Sequence, residues 1–219
     1  MKIFKIVALI ALPLLMNSCA SGYKTITPEN LTYNSQHLEE NISLEYKYDL
    51  LRKKYAKKEK KKDVRLVAVK ITNNSEKDLI FGQDMWLTYK NNSQVLVMPI
   101  DKTFQSLKQH PVTYLPYLLL TPLNIYTTTV NSYGVQETSS SFPAGLIIGP
   151  GLAGGNLIAA ASANKKFKND LRENNLQGVR IPKGETVFGL IGIRADNYDA
   201  LDFALRDQQE EPAEKVVTP

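Results

Sequence analysis

Between Gln109 and Asn164, a span of 56 residues, the only Asp, Glu, Lys or Arg is Glu137. At the chain's overall charged fraction of 22%, about 12 such residues would fall in a span of that length. A stretch without charge has three ways to be stable: inside a core, against a membrane, or against a partner. The span holds two apolar pieces. The first, "PVTYLPYLLLTPLNIYTTT", is interrupted by Pro111, Pro116 and Pro122. The second, "GLIIGPGLAGGN", carries five glycines, Gly145, Gly149, Gly151, Gly154 and Gly155.

Those glycines admit several readings. Gly149, Gly151 and Gly154 satisfy G-x-G-x-x-G between an apolar stretch and a helical pattern, the setting of a dinucleotide-binding turn. That fold needs successive βαβ units, and fewer than 70 residues follow. The acidic residue wanted on the next strand is missing, because "GVRIPKG" supplies Arg180 and Lys183. No Gly-Lys-Ser/Thr follows for a phosphate loop either. Gly145/Gly149 and Gly151/Gly155 each have the G-x-x-x-G spacing that lets helices approach closely in a bilayer. Only six of the twenty residues Ala144 to Ala163 are Leu or Ile, and Pro150 interrupts them, so a spanning helix is marginal. A re-entrant or interfacial hairpin formed with residues 112–128 stays open, as does intramolecular packing of both apolar pieces. The five glycines are the candidate membrane or partner contacts. From Asn156 onward, Leu157, Ala160, Ala161, Asn164, Phe167 and Leu171 follow helical spacing, which predicts a helix over Leu157–Glu173 capped by Asn156.

The flanks are different. "ISLEYKYDLL" alternates Leu44, Tyr46 and Tyr48 with Glu45, Lys47 and Asp49, the period of a strand. "VRLVAVKITNNS", "DLIFG" and "MWLTYKNNSQVLVMP" continue it, with "KNNS" as a hairpin connection. Late in the chain, "VRIPKGETVFGLIGIRAD" reads as a Pro-Lys-Gly turn entering a buried strand, and Asp199–Leu205 as a last strand. The expected class is mainly β, an antiparallel sandwich with an apolar helical insertion at about 109–176 in a single domain, 41–207. "VAVKITNNSEKDLIF" with "IPKGETVFGLIGI" resembles small immunoglobulin-like domains of bacterial envelope proteins. That resemblance brings no active site with it.

The leader places Lys2 and Lys5 before an apolar run from Ile6 to Met16 and small or polar residues ending at Cys19. This is the layout of a secretory signal peptide, residues 1–18. "LLMNSCA" resembles the lipobox of bacterial lipoproteins, which implies acylation of Cys19 and attachment to membrane lipid through several acyl chains. Ala20, where that family's inner-membrane retention signal is an aspartate, implies the outer membrane and a periplasm-facing body. Cys19 is the sole cysteine, so an internal disulfide is impossible. Residues 19–40, polar and unpatterned, read as a tether, and 208–219 as a disordered tail.

Removing Lys2 and Lys5 lowers the net charge from +5 to +3, too little to suggest a nucleic-acid partner. "RKKYAKKEKKKDVR", residues 52–65, is nevertheless dense in lysine. It reads as a solvated hairpin tip, with attraction to anionic headgroups as the alternative. His37 and His110 are the only histidines, too few for a histidine-rich metal centre and separated from any catalytic triad pattern. Both read as exposed bystanders, and Asp196, Asp199 and Asp202 as solvated turn residues. No catalytic residue, metal or cofactor is expected. The functional expectation is a lipid-anchored envelope protein with a binding or structural role, an envelope protein being one candidate partner. The alternative is a membrane-active protein whose glycine-rich hairpin, about 112–163, inserts or oligomerises in the bilayer.

Overall fold

The computed structural model describes residues 19–33, 35–39 and 41–206. The expected signal peptide 1–18 and tail 208–219 lie outside them. In chain order the elements are β1 (Ser35–Glu39), β2 (Ile42–Lys47), α1 (Lys53–Lys62), β3 (Val64–Asn73), β4 (Leu79–Ile80), β5 (Met85–Tyr89), β6 (Val97–Met98), α2 (Ile100–Leu107), β7 (Ile125–Val130), β8 (Gln136–Phe142), α3 (Gly145–Glu173), β9 (Arg180–Ile181), β10 (Thr186–Arg194) and β11 (Leu201–Leu205). A run of 3-10 turns covers Pro111–Leu120. The described residues divide into two compact units, one holding Lys24–Leu107 with 167–206, the other 19–23 with Lys108–Lys166.

The first is a β unit. An antiparallel five-stranded sheet runs in the order β1-β2-β3-β10-β6, and β4–β9 and β5–β11 form two further ribbons. Alternation decides what each face buries. Val67, Val69 and Ile71 of β3 share one cluster with Ile42, Leu44 and Tyr46 of β2, Ile191 and Ile193 of β10, Met85 and Leu87 of β5, and Phe203 of β11. The intervening Leu66 and Ala68 are also fully buried, so β3 is covered on both sides. Helices cover that opposite face. A side chain at Gly192 of β10 would collide with buried Thr103 of α2, and Tyr55 of α1 meets Phe167 of α3 edge-on at 5.1 Å.

The lysine run is a helix, α1, and not a hairpin tip. Tyr55 and Glu59, one turn apart, are its two buried residues, and the lysines cover the remaining surface. Asp63 ends it in the left-handed conformation, φ 50°. Buried Glu59 satisfies a strand amide: its Oε1 accepts the backbone N–H of Leu66 at 2.8 Å, near the start of β3 and before the pairing with β2 begins at Ala68. Burial pushes its carboxyl up to about 7, against the pull of that hydrogen bond and of Arg65.

The expected tether is ordered instead. Ile26 and Pro28 are buried, Ile26 N donates to Asp170 Oδ2 at 2.8 Å, and Ser35–Glu39 form edge strand β1 in register with β2, His37 opposite Leu44 and Glu39 opposite Ile42. Polar side chains hid this strand, because an edge takes its stability from main-chain pairing.

The second unit, where the insertion was expected, combines the 3-10 run, the β7–β8 hairpin and α3 as far as Lys166. Helix α3 begins at Gly145, twelve residues before the expected start, and Asn156 lies within it rather than capping it. The glycines and Pro150 argue against helix by propensity. Packing overrides them: Gly145 N donates to Leu123 O at 2.8 Å, and Pro150 removes one donor near the helix start.

Candidate membrane interface

Helix α3 is built inside out. Within the unit that ends at Lys166, its buried stripe, Gly145, Gly149, Ala153, Asn156, Ala160, Ala163 and Asn164, consists of small residues and two amides, whereas beyond it Phe167 and Leu171 are buried. Its exposed residues include Leu146, Ile147, Ile148, Leu152 and Ile158. A helix folded in water does the reverse and sends its large apolar residues inward. Small residues toward the protein and large aliphatic ones outward is the arrangement of helices in lipid.

The five glycines fall into two groups. A Cβ at Gly145 would stand 2.2 Å from Leu120 O, and one at Gly149 would stand 2.7 Å from Thr121 Oγ1, so these two let the helix rest on the end of the 3-10 run. Both are buried in packing. Gly151, Gly154 and Gly155 have nothing within 4 Å of such a Cβ, which leaves that part of the helix open. The glycine segment is a helix interior, so no tight turn is presented to a dinucleotide phosphate.

The remaining elements of this unit repeat the pattern. In the 3-10 run Tyr114 and Tyr117 are buried with Ala153 and Ala160, while Val112, Leu115, Leu118 and Leu119 stay outside, Leu119 79% exposed. All six residues of β7 are exposed, among them Ile125, Tyr126 and Val130. Of nineteen exposed large apolar side chains among the described residues, sixteen lie between Val112 and Ile158. Such a concentration marks a surface that meets something apolar. Helix α3 is long and apolar enough, by length and composition, to cross a bilayer. Its charge-free part, Gly145–Asn164, corresponds to about 30 Å at 1.5 Å per residue, matching a hydrocarbon core. Exposed Lys165 and Lys166 follow directly.

Cys19 belongs to the same unit. It is exposed, and the residues just after it are held by side-chain amides. Ala20 N donates to Asn156 Oδ1 at 2.5 Å. Ser21 N donates to Gln109 Oε1 at 3.0 Å, and Gln109 Nε2 returns a bond to Ser21 O at 2.6 Å. The backbone of Gln109 is bound in the same reciprocal way by Asn164, through Oδ1 and Nδ2, both at 2.9 Å. Gln109 and Asn164 are buried, which makes each of these bonds expensive to lose. The sequence contained the three amides, but nothing local distinguishes an Asn or Gln that latches a distant segment from one facing water.

Of the other singled-out residues, His110 is exposed at the head of the 3-10 run, and Asp196 and Asp199 precede β11, Asp199 exposed. His37 departs from the bystander reading. Its Nε2 lies 2.8 Å from Asp202 Oδ1 and 3.3 Å from Glu39 Oε2, within the β unit. Asp202 is a half-buried strand residue and not part of a solvated turn. No family model, curated protein or solved structure matches the chain.

Proposed function

We propose that the protein is a lipid-anchored component of a bacterial cell envelope with a non-catalytic, binding or structural role, and that the unit carrying Cys19 seats its apolar surface in the bilayer. The inverted burial of α3 carries this reading. Moving an exposed Leu or Ile out of water contributes roughly 1.5–3 kcal/mol each. Residues 138–164 hold no Asp, Glu, Lys or Arg, so no charge opposes entry at a cost of about 3 kcal/mol. The amide latch on Ala20 and Ser21 supports it further, because acyl chains on Cys19 would emerge beside those side chains. In this reading the lipobox-like leader directs the chain to the outer membrane, body toward the periplasm, and the β unit, loosely like an immunoglobulin sandwich, presents the surface for an envelope partner.

The anchor and the bilayer contact are tested separately. Radiolabelled palmitate is expected to enter the full-length protein in a diderm host and to be lost in Cys19→Ala; maturation without label overturns the anchor. For the contact, residues 1–18 are exchanged for a cleavable secretory signal in the Cys19→Ala protein, so neither lipid nor leader holds it. Flotation with phospholipid vesicles is then expected to persist and to disappear when Leu119, Ile147 and Ile158 are changed to serine. A soluble monomer that ignores vesicles overturns it.

A further inference from the structure

His37 and Glu39 stand two residues apart on β1, opposite Leu44 and Ile42 of the core, so they occupy the core-facing side of an edge strand. Leu38 between them is exposed. A polar pair placed there needs a counterpart. Strand β11 supplies Asp202, whose Oδ1 lies 2.8 Å from His37 Nε2 and also accepts the Phe203 N–H at 2.7 Å. The imidazole is held edge-on to Phe203, ring centres 5.5 Å apart. Side-chain exposure is 32% for His37, 22% for Asp202 and 58% for Glu39, so the group is half-sheltered and open on the Glu39 side.

Two carboxylates aim at one imidazole nitrogen, which has at most one proton to offer. A dication resolves that conflict. The three donor atoms lie within 4.8 Å of one another. Tetrahedral zinc at 2.0–2.2 Å from each ligand sets donors roughly 3.3–3.6 Å apart, so small side-chain rotations bring this set into place. Imidazole selects zinc or a neighbouring transition metal over magnesium or calcium. We propose that His37, Glu39 and Asp202 form a divalent transition-metal site, with zinc as the class of ion and water as the fourth ligand, clamping β1 to β11. This does not depend on lipid attachment.

The test uses the full-length chain in detergent, chelator-stripped, in a Cys19→Ala background because a free thiol would itself bind zinc. Calorimetric titration with zinc chloride is expected to show one saturable site and a rise in Tm. His37→Asn and Asp202→Asn are expected to weaken binding at least tenfold and to cancel the Tm rise. Glu39→Gln, at an exposed position where folding is not at stake, is expected to weaken it as well. No saturable site, equal zinc affinity in all three variants, or an equal response to magnesium overturns the proposal and leaves the trio a hydrogen-bonded latch.

Discussion

The two units of this chain bury opposite kinds of residue. The β unit puts Leu44, Val67, Val69, Ile71, Met85 and Leu87 inside, and lysines outside along α1. The unit around Cys19 buries two tyrosines with Ala153 and Ala160, and leaves most of its leucines and isoleucines outside. The first is the solution water imposes. The second is the pattern expected in surroundings as apolar as a leucine side chain, which is what the proposed bilayer contact rests on.

Mutations sharpen that contrast in order of size. Phe167, fully buried among Tyr55 and Phe104, belongs to the water-adapted unit, and Phe167→Ala is expected to lose about 3–5 kcal/mol in denaturant unfolding. The next effect is pH-dependent. Burial raises the Glu59 carboxyl from 4.5 to about 7, so below 4.5 the group is protonated in both states and its contribution is fully retained. As pH rises toward 7, the unfolded chain gives up the proton first, and stability falls by about 3 kcal/mol. Unfolding at pH 5 and pH 8 checks this. In Glu59→Gln, which keeps an acceptor for Leu66, the difference should shrink by that amount.

Gln109→Leu removes the partner of Ser21 and is expected to cost about 1–3 kcal/mol, with faster protease cleavage around residues 19–23 as the direct readout. The smallest stability change belongs to the outward residues. Ile158, 72% exposed, changed to serine should leave unfolding in detergent within about 0.5 kcal/mol of the parent while lowering vesicle binding. A loss as large as that of Phe167→Ala would erase the distinction between the units.

The sequence declared its strands where burial is one-sided or complete. Leu44 and Tyr46 alternate with Glu45 and Lys47 along β2, and β3 and β10 are nearly unbroken apolar runs. Strand β1 escaped notice because Gln36, His37 and Glu39 pair through the backbone. Helix α1 was hidden because Tyr55 and Glu59 alone carry its inner face. The start of α3 was illegible because glycine and proline oppose helix locally, and only contact with Leu120, Thr121 and Leu123 explains it. The candidate surface itself was visible as missing charge between Gln109 and Asn164, but its direction was not: composition does not say which side of a helix faces out. The His37 group was invisible for a simpler reason, since Asp202 is 165 residues away in the chain.

One consequence follows from the bonds at Ala20 and Ser21. Two residues of extended chain reach at most about 7 Å, so an acyl group on Cys19 has no slack between itself and the body it carries. Were Cys19 acylated as proposed, the unit that carries it would be held close to the leaflet rather than on a long leash.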